Sequence, residues 1–245
     1  MAQWVVCKRK VFNMININNE IKDELMSFGA DIVGFGSLNE LPDDVREGLP
    51  VGISVAVKYP KEIIRGITKL PTPEYRDWYN KLNELLDSIV TRGAGRLNEM
   101  GYKSIAQTRN YVVEYGKEFD NTRLPHKTVA TRAGIGWIGK CALLITEKYG
   151  SAIRLSSILT DAPLETATPV NTSRFGDCTV CTNACPGNAV SGRLWEAGVY
   201  RDEFFDAEKC CKTARERAKQ GFNGEITICG KCIEICPYTQ RYINP

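Results

Sequence analysis

Apolar side chains recur at helical spacing twice in the first hundred residues. Ile21, Leu25 and Phe28 stand at i, i+4 and i+7, with Asn18 placed to cap that segment and Gly29 to end it. From Glu74 onward, Trp78, Leu82, Leu85, Leu86 and Ile89 form a stripe of helical period, so a long helix is expected, broken or ended at Gly93 and Gly95. Between the two, residues 30–36 read as a short buried strand and turn. Residues 51–57 alternate β-branched with small or polar side chains, the mark of a strand in a mixed sheet. Pro60, Pro71 and Pro73 keep the following connection irregular, apart from one turn of helix over 62–67. The pattern predicts three more strands, over 102–113, 142–146 and 152–159. The fold class that follows is α/β.

Past Thr160 the periodicity fades. Residues 161–173, rich in Pro, Thr and Ala, read as a linker, which divides the chain into 1–168 and 169–245. Residues 187–198 read as a loop with an exposed Trp195. A basic helix follows around 209–219, whose Arg215, Arg217 and Lys219 make a solvated face, with RNA contact as the sharper alternative. At 245 residues, 43% hydrophobic and 25% charged, the chain is long enough to bury a core without disulfides. A formal charge of +3 neither demands nor excludes a nucleic-acid partner. No stretch has signal-peptide character or the ~20 apolar residues of a membrane helix, so the expected location is the cytoplasm, with no membrane partner.

Cysteine usage changes the picture most. Cys178-x2-Cys181-x3-Cys185-Pro186 is echoed by Cys229-x2-Cys232-x3-Cys236-Pro237, with Cys210 and Cys211 between. In two-cluster ferredoxins the close cysteines hold one cubane while the cysteine before proline crosses to the other. That exchange groups Cys178, Cys181 and Cys236 around one iron–sulfur cluster and Cys185, Cys229 and Cys232 around the second, each set one thiolate short of four. The leading position of a full ferredoxin run holds Phe175 in one motif and Ile226 in the other. Cys210 or Cys211 completes the second set. For the first, the spare member of that pair, Cys141, Cys7, a non-cysteine group and an incomplete three-iron cluster all stay open. Structural zinc also fits repeated Cys-x2-Cys, but it does not need a third cysteine before proline in both halves.

Upstream lies the glycine-rich run Arg132-Ala133-Gly134-Ile135-Gly136-Trp137-Ile138-Gly139-Lys140. Its glycines allow a backbone to approach a flat or anionic ligand, and a purely structural turn is the plain alternative. The match to Gly-x-Gly-x-x-Gly is not read as a dinucleotide site, because a strand follows these glycines where a helix should open.

The stretch Lys127-Thr128-Val129-Ala130-Thr131 leading into this run, then a strand, then the double cysteine block, resembles the epoxyqueuosine reductase family and, more distantly, the reductive dehalogenases. The resemblance implies a nitroreductase-like α/β domain holding a cobalamin, here 1–168, followed by a ferredoxin-like domain with two [4Fe-4S] clusters, here 169–245. It implies cofactor contacts from Arg132, Gly134, Gly136, Trp137, Gly139 and Lys140, and cluster ligation by Cys178, Cys181, Cys185, Cys210, Cys229, Cys232 and Cys236. The family's proposed proton donor falls on Asp120, and an external ferredoxin- or flavodoxin-type donor would supply electrons. Its substrate would be a modified-nucleoside epoxide, with tRNA as a partner, or another small molecule. Family members commonly have cysteine where Phe175 stands, an asparagine-like residue at Cys141 and glutamate at His126. Longer members carry a tRNA-binding helical-repeat extension, whereas this sequence stops at Pro245; the absence of a twin-arginine leader weighs against a dehalogenase. The rival from another class is a ferredoxin-like electron carrier with no substrate chemistry of its own.

Overall fold

The structure, a computed structural model, describes residues 17–115 and 122–245. Two compact units interleave along the chain. Within the described residues, one comprises Met1–Val57, Leu85–Ile135 and Leu155–Pro169, the other Lys58–Glu84, Gly136–Arg154 and Val170–Pro245.

The first unit is built on a four-stranded sheet in the order β1-β2-β6-β3, with β1 Ile32–Ser37, β2 Val51–Lys58, β3 Ser104–Ala106 and β6 Ile153–Thr160. β1 pairs antiparallel with β2, Phe35 opposite Ile53, and β3 pairs antiparallel with β6, Ile105 opposite Leu159. β2 is buried from Val51 to Val57, so it reads as a near-continuous apolar run rather than an alternating one. A helix over 17–27, α1, ends at Gly29, whose φ of +111 needs glycine. Asn18 lies inside this helix rather than capping it. Its side-chain amide instead clasps the backbone of Glu165, donating to the carbonyl at 2.9 Å and accepting from the N–H at 2.8 Å.

The long helix is present as α3, Pro73–Glu99, and it runs through both glycines expected to stop it. Gly93 is there for close packing, since a Cβ would stand 2.5 Å from Leu25 Cδ2 and 2.8 Å from Ile158 Cδ1. The strand expected over 102–113 is only β3. From Arg109 the chain turns into α4, Arg109–Tyr115, with the backbone N–H of Arg109 and its guanidinium both held by Asp87. α5, His126–Arg132, fills the stretch before the glycine run and rests directly on β1. At Gly36 a Cβ would come within 2.5 Å of the Ala133 nitrogen, so only glycine admits the helix end.

In the second unit, α2 Lys61–Gly66, the short hairpin β4 Trp137–Ile138 with β5 Leu144–Ile145, α6 Val180–Ala184, α7 Ala207–Phe222, α8 Lys231–Glu234 and α9 Pro237–Ile243 surround the cysteines. Trp195, expected to be exposed, is 7% exposed and packs in a core with Trp137, Ile145, Phe204 and Cys236. Burying an indole contributes on the order of 3 kcal/mol, enough to hold a loop that lacks regular structure. α9 is tied down by the Tyr242 hydroxyl donating to the Tyr59 carbonyl at 2.8 Å and by Arg65 donating to the Ile243 carbonyl.

Candidate metal centre

Each cysteine is presented by a short element whose start or end the sequence marks. Cys181 lies in α6 and Cys185 follows it. Cys210 and Cys211 sit in the first turn of α7, which Asp206 caps by accepting the Lys209 N–H at 2.9 Å. Gly230, at φ +76, turns the chain so that Cys232 enters α8, and Cys236 precedes α9 with Pro237 at its first position.

These turns bring the thiols together inside the second unit. Cys185 from the first motif, Cys229 and Cys232 from the second, and Cys210 from α7 line one cavity of about 220 Å³, together with Cys141, Tyr75, Tyr79 and Arg154. Among the described residues no three side chains converge on a single ion. Four thiols ringing a space rather than a point suit a cubane, whose iron corners each take one thiolate. Cys185 thus lies on one cavity with Cys229 and Cys232, the grouping expected from spacing, and Cys210 is the cavity-lining member of the 210/211 pair. Consecutive helix positions point about 100° apart, which turns Cys211 elsewhere.

The remaining expected ligands, Cys178 and Cys181, are partly buried, and Cys236 is 4% exposed beside Trp137 and Ile138. Cys236 and Cys181 are close enough to interact electrostatically. Burial and crowding push several thiols toward their neutral form. Desolvation, then the neighbouring Cys229 and Cys185, raise Cys210 to about 11. A hydrogen bond with Cys141, reinforced by burial, raises Cys181, and burial raises Cys236. For Cys141 the hydrogen bond with Cys181 pulls its pKa down, but the one with Cys232 and burial outweigh it. Such a site releases protons when it takes up iron, because a coordinating thiol is deprotonated outright.

Two basic side chains reach the thiol loops. Arg217 donates Nε–H to Cys229 Sγ at 3.1 Å, so it is not the solvated residue its helix suggested. Its signal was available: Arg217 follows Cys210 by seven residues, two turns along the same face of α7. Lys140, 5% exposed, donates to the Cys178 carbonyl at 2.9 Å. Of the other residues expected at the cofactor, Arg132 is buried and pairs with Glu40. Gly134 faces the Thr168 carbonyl, while in the hairpin a Cβ on Gly136 would lie 2.1 Å from the Ile145 oxygen and one on Gly139 2.9 Å from Phe175 Cε2. Protein atoms thus take the room beside all three glycines. Trp137 is buried in the core described above. His126 opens α5 with Nδ1 2.7 Å from Ser157 Oγ. Asp120 and Cys7 lie outside the described residues.

Residues 175–239 match the family model of the 4Fe-4S double cluster binding domain. This segment is similar to double-cluster domains. The chain is similar to the epoxyqueuosine reductase of Aliivibrio fischeri, with 26% identity over 223 residues, 84% of this chain and 54% of that protein. An epoxyqueuosine reductase solved with an epoxyqueuosine-modified tRNA-Tyr stem loop superposes with a TM-score of 0.59 at 18% identity, covering 95% of this chain and 68% of that one. A reductive dehalogenase, solved in a study of B12-dependent dehalogenation, superposes at 0.66 with 18% identity, covering 89% and 31%. The chain spans about half the length of the curated relatives it matches. The resemblance read from the sequence is borne out, as is the fold: a mixed helix and sheet architecture shared with both groups and ending in the double-cluster domain.

Proposed function

We propose that this chain is an iron–sulfur reductase acting like the epoxyqueuosine reductases it resembles, with a corrinoid as its second cofactor. The observation that carries the reading is the cavity where one thiol of the first motif joins two of the second and Cys210. Such interlocked sites hold clusters a short distance apart, so electrons entering at one can leave from the other. When bound, a corrinoid supplies a low-potential cobalt centre for two-electron reduction. The resemblance assigns it to segment 1–168, upstream of the cluster-bearing 169–245. Gly134, Gly136 and Gly139 do not make the room it needs, so no contact with it is drawn from them.

The reductant is an external ferredoxin- or flavodoxin-type protein. The substrate is the epoxide of a modified tRNA nucleoside, supported by the relative solved with such a stem loop. All nine cysteines among the described residues are free thiols, which suits a reducing cytoplasm. Among those residues, no helix is long and apolar enough to cross a membrane. Asp120 is the proton donor of this reading, a role that requires a carboxyl kept protonated near working pH.

The filled spaces beside the glycines favour a second reading, an electron carrier without substrate chemistry. Anaerobically reconstituted protein separates the two. On the reductase reading, added cobalamin changes its visible spectrum on binding, and Asp120→Asn abolishes reduction of an epoxyqueuosine stem loop while iron content stays constant. Absence of cobalamin binding together with no reduction of the stem loop by the wild type leaves the carrier, and turnover indifferent to Asp120→Asn overturns the role of Asp120.

A further inference from the structure

We infer that Cys141, which lies outside both cysteine motifs, is the fourth thiolate of the cluster held by Cys178, Cys181 and Cys236. The inference rests on the two-cluster reading.

The leading position of the first motif cannot ligate. Phe175 stands there, its ring set edge-on to Trp137 at 6.0 Å and to Tyr238 at 5.6 Å and seated against Gly139. The hairpin that receives this ring also delivers a thiol. Between β4 and β5 the chain reverses in a tight turn, with Gly139 N–H donating to the Leu143 carbonyl at 2.9 Å and Ala142 N–H to the Gly139 carbonyl at 2.9 Å. Ala142 adopts φ +58, a left-handed conformation that costs a non-glycine residue about 1 kcal/mol. That strained turn sends Cys141 inward, to 5% exposure, where it lines the cavity with Cys232 of the second motif and has Cys181 of the first as an electrostatic neighbour. Lys140, the preceding residue, fastens the same turn to the Cys178 carbonyl.

Stoichiometry then decides which cluster it serves. Cys185, Cys210, Cys229 and Cys232 already give one cubane its four thiolates, and Cys141 is a fifth thiol on their cavity. The set that lacks a ligand includes Cys181, whose pKa the neighbouring Cys141 raises, and Cys236, which packs in one core with Ala142. On loading, the Cys141 S–H bond breaks, an S–Fe bond forms and the proton leaves to solvent, with no change of oxidation state.

The test is iron and acid-labile sulfide analysis with electron paramagnetic resonance on anaerobically purified full-length chain. The wild type holds about eight irons. Cys141→Ala falls to about seven and acquires the paramagnetic signature of an oxidised three-iron cluster, Cys211→Ala keeps about eight, and adding Phe175→Cys to Cys141→Ala restores the missing iron at the pattern's own position. If Cys141→Ala does not accumulate, Cys141→Ser is read instead, and it shifts the spectrum of one cluster only. A Cys141→Ala protein with about eight irons and wild-type spectra, a three-iron signature from Cys211→Ala, or a wild type with about seven irons overturns the assignment and leaves two clusters in place. Zinc in place of iron in the wild type overturns the two-cluster reading itself.

Discussion

The two cysteine motifs have the same spacing but different surroundings. Around Cys178 to Cys185 the chain is largely open to solvent: Val180 is 37% exposed, and α6 buries none of its residues. Around Cys229 to Cys236, Ile228, Glu234 and Cys236 are buried, and the loop is wedged against α2 and α3. Equal spacing therefore does not mean equal anchoring. The first motif is held mainly through the hairpin and Phe175. The second is part of the core of its unit, so its cluster is insulated and its loss is felt structurally.

The largest expected effect breaks this asymmetry at the metal. Cys232→Ala should lose iron from one cluster and several kcal/mol of stability, because binding energy of clustered thiolates is also folding energy. Cys178→Ala should lose similar iron with a smaller drop in melting temperature. Equal drops, measured by circular dichroism beside iron assays, would show the two motifs to be equally anchored. Next, two left-handed glycines, Gly176 two residues before Cys178 and Gly230 directly after Cys229, sharpen it. Gly176 (φ +49) has open space beside it, whereas a Cβ on Gly230 (φ +76) would meet Ile67 Cδ1 at 2.4 Å. Gly176→Ala should cost about 1 kcal/mol for the left-handed backbone and Gly230→Ala about 2–4 kcal/mol, the excess being overpacking. Urea titration of both variants reads the difference.

Smaller effects concern the thiols themselves. The Arg217 guanidinium on Cys229 Sγ stabilises the more negative, reduced cluster, so Arg217→Ala should lower that cluster's potential by about 50–100 mV and leave the other unmoved. A redox titration followed by electron paramagnetic resonance checks it. The least effect is in the iron-free protein. Cys210 has its folded pKa raised to about 11, so its contribution to stability is complete below about pH 8.5, the unfolded thiol's value, and is lost as pH rises through 11. Cys210→Ser should flatten that alkaline decline in a denaturation series.

Much of this was readable from residue order. The stripe from Trp78 to Ile89 lies in α3, the basic stretch 209–219 lies in α7, and Cys185 shares a cavity with Cys229 and Cys232 as its spacing suggested. What escaped was set by partners far along the chain. Gly93 signals helix termination locally, yet in the fold it makes room for Leu25 and Ile158. Trp195 lies in an aperiodic stretch, so nothing near it announces that Trp137 and Phe204 cover it. Residues 109–115 are capped locally, the Thr108 hydroxyl accepting the Tyr111 N–H at 3.3 Å, but the Arg109 N–H is taken by Asp87 on another helix, a partner no nearby residue announces. The room beside Gly136 and Gly139 is likewise decided by Ile145 and Phe175, which no glycine pattern encodes.

Cys236 is both a thiol donor and the residue from which α9 begins, with Pro237 next and the helix end pinned through Ile243 and Tyr242. On the two-cluster reading, iron taken up at Cys236 would therefore also steady the start of α9. Limited proteolysis within α9, slow for a loaded chain and fast for a stripped one, would report cofactor content without any spectroscopy.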